Sequence, residues 1–241
     1  MEICAVILAR GGSKRLPNKN IIKLLGRPLI SYTIEAAKRS KYINRVICST
    51  DSKKIADAAR KCGAEVPFIR PKELALDNTP SIDSLRHALA YLRKKEGYSP
   101  DAFVLLQPTS PLRTHAHIDS AIELFCSEER KSVVSVKMIK GNIRTVIDGE
   151  LVLLSRFNRK LSSCSYYSAN GAIYVASPEM VKRGMNAWMN NAVPYIMDET
   201  ASVDIDTEAD LKLAKINMKS AGRGYSSRTK KRINSDLRGG I

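Results

Sequence analysis

Residues 3–20 read ICAVILARGGSKRLPNKN, an apolar run followed by two glycines and four cationic side chains. An apolar run this close to the N-terminus predicts a buried first strand of a parallel or mixed sheet. In open α/β folds, ligands bind at the loop that leaves the carboxyl end of such a strand. The glycines let the backbone approach an anion, and the cations supply positive charge. The stretch therefore predicts an α/β fold with a phosphate-binding loop after its first strand.

The loop has the spacing of neither well-known phosphate-binding motif. A Walker A loop requires G-x-x-x-x-G-K-[ST] and a dinucleotide fingerprint requires G-x-G-x-x-G, and neither pattern is present. A solvated surface turn is the alternative interpretation of a basic, glycine-containing loop. The loop alone does not decide between these two interpretations.

The composition is that of an ordinary globular protein. The 241 residues are 44% hydrophobic and 27% charged, enough for one large domain or one domain with a smaller appendage. Five cysteines without C-x-x-C spacing indicate a reducing compartment and no zinc site. Because neither a basic leader nor a membrane-length apolar run is found, we expect a soluble cytoplasmic protein.

The formal net charge is +16, which by itself suggests binding to nucleic acid. Part of this charge is local, since residues 216–241 hold seven Lys or Arg and a single acidic residue, Asp236. An enzyme that binds a nucleoside triphosphate and an acidic second substrate would gain from the same positive field. The charge therefore does not separate the two classes of function.

Apolar runs alternate with helical segments along the first half of the chain, which is typical of repeated βα units. The apolar runs occupy residues 3–8, 45–49, 66–69, 102–106 and 132–136. We expect helices at about 28–40, from a cap at Asp51 to Gly63, at 81–95 and at 115–129 after Thr114. This order predicts a Rossmann-like, three-layer α/β fold with a mostly parallel central sheet.

The βα rhythm stops between about residues 138 and 169. Short alternating segments and the Asp148-Gly149 pair predict a hairpin, so this region is interpreted as a small inserted arm. Residues 172–176 then predict a core strand, and Thr207 begins a final helix. We expect one domain over residues 1–219 and a basic, mobile tail over residues 220–241.

A pair of carboxylates precedes the final helix. In a strand, Asp204 and Asp206 would lie on the same face and converge on one point. Two carboxylates, completed by water and substrate phosphates, are a usual way to hold Mg²⁺. The alternative is that Asp206 or Thr207 only caps the helix while Asp204 is solvated.

A loop stiffened by two prolines follows the buried strand at 102–106. Its sequence, QPTSPLRT, begins at Gln107, whose amide can both donate to and accept from a sugar. A plain strand-to-helix connection capped by Thr114 is the alternative interpretation.

Six short motifs occur in order along the chain. They are LARGGSK from Leu8 with Lys19-Asn20, Ser49-Thr50-Asp51, Arg70-Pro71 with Leu74-Ala75 and Asp77, QPTSPLR from Gln107, Asn170-Gly171-Ala172-Ile173-Tyr174, and Asp204-Ile205-Asp206-Thr207. Together these motifs resemble the acylneuraminate cytidylyltransferases, which include the CMP-sialic acid synthetases and their legionaminic and pseudaminic acid relatives. The resemblance runs in order from about residue 3 to 215.

The resemblance implies a CTP-dependent nucleotidyltransferase. The anomeric hydroxyl of a nine-carbon 2-keto acid sugar would attack the α-phosphate of CTP and release pyrophosphate, with Mg²⁺ as the cofactor. A metal-bound hydroxide or one of the paired carboxylates would accept the proton. Cytidylyltransferases that use another acidic sugar, such as Kdo, remain an alternative, and a nucleic-acid-binding protein on the same fold is a more distant one.

The resemblance also implies roles for individual residues. Arg10, Lys14, Lys19 and Asp206 would be catalytic. The nucleotide would be bound by Leu8, Ala9, Arg10, Gly11, Gly12, Ser13, Lys14, Asn20, Arg70, Thr79 and Ser81. The sugar would contact Gln107, Asn170 and Tyr174, and the metal would be held by Asp204 and Asp206.

The chain departs from the family pattern at one place. Sialic-acid members commonly have Arg-Pro before Asn-Gly, whereas Ser168-Ala169 stand there in this chain. In the family the arm often carries an arginine for the sugar carboxylate, and Arg156, Arg159 and Lys160 are all candidates. The arm also mediates dimerisation in the family, so a homodimer is expected, with no membrane partner.

Overall fold

A six-stranded sheet forms the middle layer of the structure. The structure is a computed structural model, and it describes residues 1–128, 132–139, 143–147, 150–153, 165–190 and 192–220. In chain order the strands are β1 Ile3–Leu8, β2 Lys23–Leu24, β3 Arg27–Pro28, β4 Arg45–Ser49, β5 Ala102–Leu106, β6 Ser132–Ile139, β7 Arg144–Ile147, β8 Glu150–Leu153, β9 Tyr166–Ala176 and β10 Val193–Ile196. The central sheet has the order β10-β6-β9-β5-β1-β4. Strand β9 is antiparallel to β5 and β6, and the other pairs are parallel, which confirms the mostly parallel sheet.

Helices cover both faces of this sheet. Their bounds are α1 Leu29–Arg39, α2 Lys53–Lys61, α3 Ser81–Glu96, α4 His115–Ser127, α5 Pro178–Arg183, α6 Met185–Asn190 and α7 at 208–220. One apolar core packs α1, α2 and α4 against the sheet, and a second packs α3, α5 and α6 on the opposite face. The predicted three-layer α/β fold is therefore confirmed.

The expected strand at residues 66–69 does not form. The segment runs beside β4 and makes one isolated bridge there, between Glu65 and Ile47. Pro67 lies inside the apolar run and has no backbone N–H, so the ladder cannot continue through it. Pairing instead resumes once, where the Arg70 N–H donates to the Thr50 carbonyl at 2.8 Å.

The cap of α2 is one residue later than expected. Ser52, not Asp51, accepts a hydrogen bond from the backbone N–H of Ile55. The Asp51 carboxylate instead accepts from the backbone N–H of Gly11 at 2.9 Å. The other expected helices agree with the structure within two residues, whereas α5 and α6 were not expected. Thr114 caps α4 in a capping box with His117.

The predicted inserted arm contains the antiparallel hairpin of β7 and β8. Its turn at Asp148-Gly149, and the three basic candidates Arg156, Arg159 and Lys160, lie outside the described residues. The tail beyond residue 220 also lies outside them. Within the described ranges, no helix combines the length and the apolar character needed to cross a bilayer.

The C-terminal helix α7 packs against the beginning of the chain. A third apolar cluster joins Leu16, Leu24 and Leu29 to residues 203–214. Residues 203–206 are not a strand, which corrects the expectation; Ile205 makes a single backbone hydrogen bond, to the carbonyl of Thr109 at 2.8 Å. The buried Ile205 still leaves Asp204 and Asp206 facing away from the core, because the segment is anchored at that residue.

Candidate active site

A cleft of ≈ 580 Å³ opens at the carboxyl ends of β1 and β5. In the sheet, β4 lies on one side of β1 and β5 lies on the other. The chain therefore leaves the carboxyl ends of β1 and β5 in opposite directions. A crevice forms where the two connections diverge, and it is the usual ligand site of an open α/β sheet. The predicted site residues that line it are Leu8, Arg10, Ser13, Lys14, Lys19, Asn20, Arg70, Thr79, Ser81, Gln107, Asp204 and Asp206.

The loop after β1 is fixed from two sides. Asp51, at the end of β4, accepts from the Gly11 N–H, and the amide of Asn20 donates to the carbonyl of Arg10 at 2.9 Å. Asn20 is buried beneath the loop, so its side chain supports the backbone of the loop as well as lining the cleft. The loop is therefore held before any ligand binds.

Two cations of this loop share one carboxylate. Asp77 Oδ1 lies 2.8 Å from Arg10 Nη2, and the other carboxylate oxygen contacts Lys14 Nζ. The hydrogen bond from Lys14 contributes most to lowering the pKa of Asp77. All three side chains line the cleft and are substantially exposed, so each contact is weak and readily exchanged.

Two further cations share Asp206. Lys19 Nζ and Arg15 Nη2 each lie 2.7 Å from a carboxylate oxygen of Asp206. The Lys19 side chain is only 18% exposed, whereas that of Arg15 is 71% exposed. Lys19 is therefore the better-held partner, and its hydrogen bond is the main cause of the lowered pKa of Asp206.

The neighbouring carboxylate, Asp204, has the opposite electrostatic environment. Desolvation raises its pKa, although a hydrogen bond with Thr109 opposes that effect. The start of α7 is capped by Thr207, whose Oγ1 accepts from the Asp210 N–H at 3.3 Å. The Asp210 carboxylate accepts in return from the Asp206 and Thr207 N–H groups at 3.0 and 2.7 Å. The side chain of Asp206 is therefore not used as a helix cap.

Arg70 is a buried cation in the cleft wall. Its Nη1 donates to Ser84 Oγ at 2.8 Å, and burial lowers the pKa of its guanidinium. Its Nε and Nη2 are buried and have no hydrogen-bond acceptor in the described part of the protein. Such unpaired donors are costly to bury, and this makes Arg70 a candidate for contact with a ligand.

Five predicted site residues do not line the cleft: Ala9, Gly11, Gly12, Asn170 and Tyr174. Ala9 is fully buried, and the two glycines belong to the loop that borders the cleft. Tyr174 is buried beneath the sheet surface, where its ring meets Trp188 edge-on at 6.0 Å.

Asn170 has its side chain engaged within the protein. Its Oδ1 accepts from Ser135 Oγ at 2.6 Å and from the Ala172 N–H at 3.1 Å, and its Nδ2 donates to Ser202 Oγ at 2.9 Å. These contacts fill a β-bulge where the pairing of β6 with β9 shifts between Val134 and Val136. The structure therefore places Asn170 in the support of β9 and not in the cleft wall.

The sequence assigned no role to two residues that shape the site, Asp77 and Arg113, and it assigned Arg15 only a positive charge of the loop. Arg15 and Asp77 carry ion pairs of the cleft, and Arg113 is fully buried behind Gln107, donating to that residue's carbonyl at 3.1 Å. Asp77 and Arg113 belong to the motifs that carry the family resemblance, so the sequence does mark these two positions. The partners of Asp77 were not visible, because Arg10 and Lys14 lie far from it in the chain. Neither were the partners of Arg113 on α1 and β9, Thr33 and Ala172.

The carboxylate pair fits a hard divalent cation. Its donors are all oxygen, and both carboxylates line the cleft that collects the cationic loop. Mg²⁺ is usually held by one or two carboxylates together with substrate phosphates. Asp206 would have to release Lys19 and Arg15, and both cations line the same cleft, where a phosphate could take them.

Comparison with known proteins agrees with this geometry. Residues 4–183 match the protein family described as Cytidylyltransferase. The chain belongs to the cytidylyltransferase family. Membership confirms the predicted CTP-dependent nucleotidyltransferase, and the cleft just described is then the candidate active site of that enzyme class.

Two similar proteins of known name show which cytidylyltransferases this chain resembles. The N-acylneuraminate cytidylyltransferase of Escherichia coli O18:K1:H7 is 37% identical over 223 residues, which cover 88% of this chain but 51% of that protein. The CMP-N,N'-diacetyllegionaminic acid synthase of Legionella pneumophila is 38% identical over 218 residues, 87% of this chain and 93% of that protein. The chain thus spans about half of the first relative and nearly all of the second, and the resemblance to the acylneuraminate cytidylyltransferases is confirmed.

A solved structure shares the fold. The structure of CMP:2-keto-3-deoxy-manno-octonic acid synthetase complexed with CTP has a TM-score of 0.72 and covers 92% of this chain and 100% of its own. The sequence identity is 17%, so this likeness supports the fold of the cytidylyltransferase domain alone.

Proposed function

We propose that the protein transfers CMP from CTP to the anomeric hydroxyl of a nine-carbon 2-keto acid sugar of the sialic, legionaminic or pseudaminic type. One observation carries this proposal: a single cleft gathers five cationic side chains, four of them from the loop after β1, together with the Asp204 and Asp206 carboxylates and the amide of Gln107. The cations can bind a triphosphate, and the carboxylates can bind a metal and accept the proton of an attacking hydroxyl. The amide of Gln107 can form hydrogen bonds with the acceptor sugar. The names of the relatives supply the nine-carbon sugars.

The triphosphate displaces acidic partners inside the protein. When CTP binds, Arg10 and Lys14 exchange the Asp77 carboxylate for phosphate oxygens, and Ser13 and the backbone at Gly11 and Gly12 add hydrogen-bond donors. Positioning and neutralisation of charge are what phosphoryl transfer requires of a protein. Arg10, Lys14 and Lys19 then stabilise the departing pyrophosphate.

The nucleoside lies against Arg70. The unpaired nitrogens of its guanidinium donate to cytosine or ribose oxygens, and Thr79 and Ser81 line the same wall. Because these two donors are already desolvated, binding of the nucleoside gains their hydrogen bonds without a further desolvation cost.

The transfer is an in-line displacement at the α-phosphorus. The anomeric oxygen of the sugar forms the new P–O bond as the bond from the α-phosphorus to the bridging oxygen breaks, and the electron pair leaves with pyrophosphate. The hydroxyl proton passes to a carboxylate of the pair Asp204 and Asp206. Gln107 binds the sugar and holds the attacking oxygen in line.

Asp204 and Asp206 would hold Mg²⁺, which supplies positive charge at the α-phosphate. Lys19 and Arg15, released from Asp206, then contribute their charge to the phosphates. The lowered pKa of Asp206 keeps its carboxylate ionised at physiological pH, so that it can pair with Lys19 and Arg15 or bind Mg²⁺.

We also propose that the protein is a cytoplasmic homodimer. Large apolar side chains are exposed on neighbouring strands β6, β9 and β10, at Met138, Ile139, Tyr167 and Ile196, and a second copy would cover them. The four described cysteines are free thiols, as a reducing compartment allows. Light scattering of the purified protein tests the dimer, and a monomeric mass at micromolar concentration contradicts it.

A substrate panel tests the reaction. The protein is incubated with CTP, Mg²⁺ and each of several acidic sugars, and pyrophosphate release and the CMP-sugar are measured. We expect turnover with at least one nine-carbon 2-keto acid and none with ATP or UTP in place of CTP. Turnover of Kdo with no turnover of any nine-carbon sugar overturns the proposed acceptor while retaining the cytidylyltransferase.

A further inference from the structure

The main chain of Gln107 is held rigidly at the end of β5. Its carbonyl accepts from Arg113 Nη1 at 3.1 Å and from Thr33 Oγ1 at 3.3 Å. Arg113 is fully buried and donates further to the Ala172 carbonyl at 2.8 Å and to Thr33 Oγ1 at 2.6 Å. The backbone of Gln107 is thus tied to α1 and to β9 at once.

The side chain of Gln107 occupies space that exists because residue 171 is glycine. Gly171 has φ +76°, and a Cβ built on it would lie 2.8 Å from Gln107 Oε1 and 3.3 Å from Cδ. Real Cβ atoms do not approach other atoms so closely, so one of the two groups would have to move. Because Arg113 and Thr33 fix the main chain of Gln107, the movement would fall on the amide of that residue.

We infer that Gly171 is a positioning residue for the acceptor sugar, which acts by leaving room for the amide of Gln107 in the cleft. The inference rests on the proposed function, in which Gln107 binds the sugar. Gly171 itself does not line the cleft, so any effect of a side chain there on the sugar must pass through Gln107. A displaced amide weakens the hold on the sugar and leaves the triphosphate contacts of Arg10 and Lys14 intact.

The test is Gly171→Ala, assayed for the KM of the acceptor sugar and the KM of CTP separately. A misplacement of about 1 Å in a positioning group has large effects on an enzyme, so we expect the acceptor KM to rise roughly tenfold or more. The KM of CTP should change less than about twofold, since Arg10, Lys14 and Arg70 are untouched. An unchanged acceptor KM in the folded variant overturns the inference.

The matched control is Gly63→Ala. Gly63 also has a positive φ, +88°, so alanine carries a similar backbone strain there, but the atom its Cβ would meet is the flexible end of Lys38, away from the cleft. We expect Gly63→Ala to lose thermal stability to a similar degree while keeping both KM values. An equal rise of the acceptor KM in both variants shows that general destabilisation is the cause and overturns the inference.

A double-mutant cycle tests whether the effect passes through Gln107. With Gln107→Ala as the background, Gly171→Ala should raise the acceptor KM no further, because the displaced amide is absent. Additive effects overturn the inference. If Gln107→Ala alone leaves the acceptor KM unchanged, the proposed role of Gln107 is wrong, which is a different outcome from failure of the inference.

A second substitution covers the case in which alanine at position 171 prevents folding. Asparagine tolerates a positive φ better than alanine, and its Cβ meets Gln107 in the same place. Gly171→Asn should therefore reproduce the selective rise of the acceptor KM with less strain. A folded Gly171→Asn variant with the wild-type acceptor KM overturns the inference.

Discussion

The guanidinium of Arg10 lies 2.8 Å from the carboxylate of Asp77, 67 residues further along the chain, and Lys14 contacts the same carboxylate. Both cations line the cleft that we assign to the triphosphate. In the proposed function, Asp77 therefore occupies the electrostatic position that a phosphate group of CTP would take. CTP would have to compete with this acidic side chain for Arg10 and Lys14.

Asp77→Asn removes this competitor. We expect the affinity for CTP to increase by roughly twofold to fivefold, because exposed ion pairs are individually weak. The dissociation constant of CTP, measured by titration calorimetry in the absence of acceptor, tests this. Asp57→Asn is the control, since it breaks another exposed pair, with Arg60 on α2 and away from the cleft. A weaker binding of CTP by Asp77→Asn would show that Asp77 assists the nucleotide.

Asp206→Asn should reduce kcat far more than it weakens CTP binding. The carboxylate is assigned to the metal and to the transfer step, and loss of one such electrostatic group typically lowers turnover by about 10²–10³-fold. Steady-state kinetics at saturating Mg²⁺ measure it. Glu208→Gln, two residues on and exposed to solvent, should keep the wild-type kcat. Wild-type turnover of Asp206→Asn removes this residue from the mechanism.

Arg70→Met should raise the KM of CTP and spare that of the sugar. The substitution keeps a long apolar stem and removes the two unpaired donors, and a hydrogen bond from a charged group to a ligand is worth about 1.5–3 kcal/mol, or roughly tenfold to a hundredfold. Arg60→Met is the control, because Arg60 donates to the nearby Val66 carbonyl without lining the cleft. Equal effects of the two variants on the KM of CTP would argue for a structural cause.

His117→Gln should flatten the pH dependence of stability on the acid side. His117 Nδ1 accepts from the Thr114 N–H at 3.2 Å, and burial, the largest cause, lowers the pKa of the imidazole below its ordinary 6.5. The unfolded chain therefore takes up the proton first, so stability is full above pH 6.5 and falls as the pH drops towards the folded value.

Glutamine at position 117 keeps the capping box without a titrating group. Urea unfolding of the two proteins from pH 7.5 to 5.5 measures the difference. Part of the slope should remain, because burial and the neighbouring Arg70 also lower the pKa of His87. Identical slopes for variant and wild type would show that His117 is not titrating in this range.

The fold was largely predictable because its signals are local. The apolar runs at β1, β4 and β5 and the caps at Thr114 and Gly63 need only neighbouring residues to be read. The error at residues 66–69 has the same origin: hydrophobicity alone predicts a strand, and a single proline removes the donor that the ladder needs.

The site was predictable in composition but not in pairing. The cations of the loop, Gln107 and the two aspartates are recognisable by type and spacing, and Arg70 is recognisable through the family resemblance; all of these side chains line the cleft. Which acid neutralises which cation depends on tertiary contacts, as for Lys19 and Asp206. Asn170 shows the same limit, since its partners lie on β6 and in the segment before α7.

The ion pair of Lys19 with Asp206 spans 187 residues, and the apolar cluster around Leu16 and Ile205 joins the same two parts of the chain. On the ribosome, the cationic loop is made well before its acidic partner, which follows 187 residues later. The candidate active-site cleft is therefore complete only once both parts of the chain have been made and have packed together. A nascent or prematurely terminated chain that lacks residues 203–214 should carry the whole cationic loop and yet remain catalytically silent.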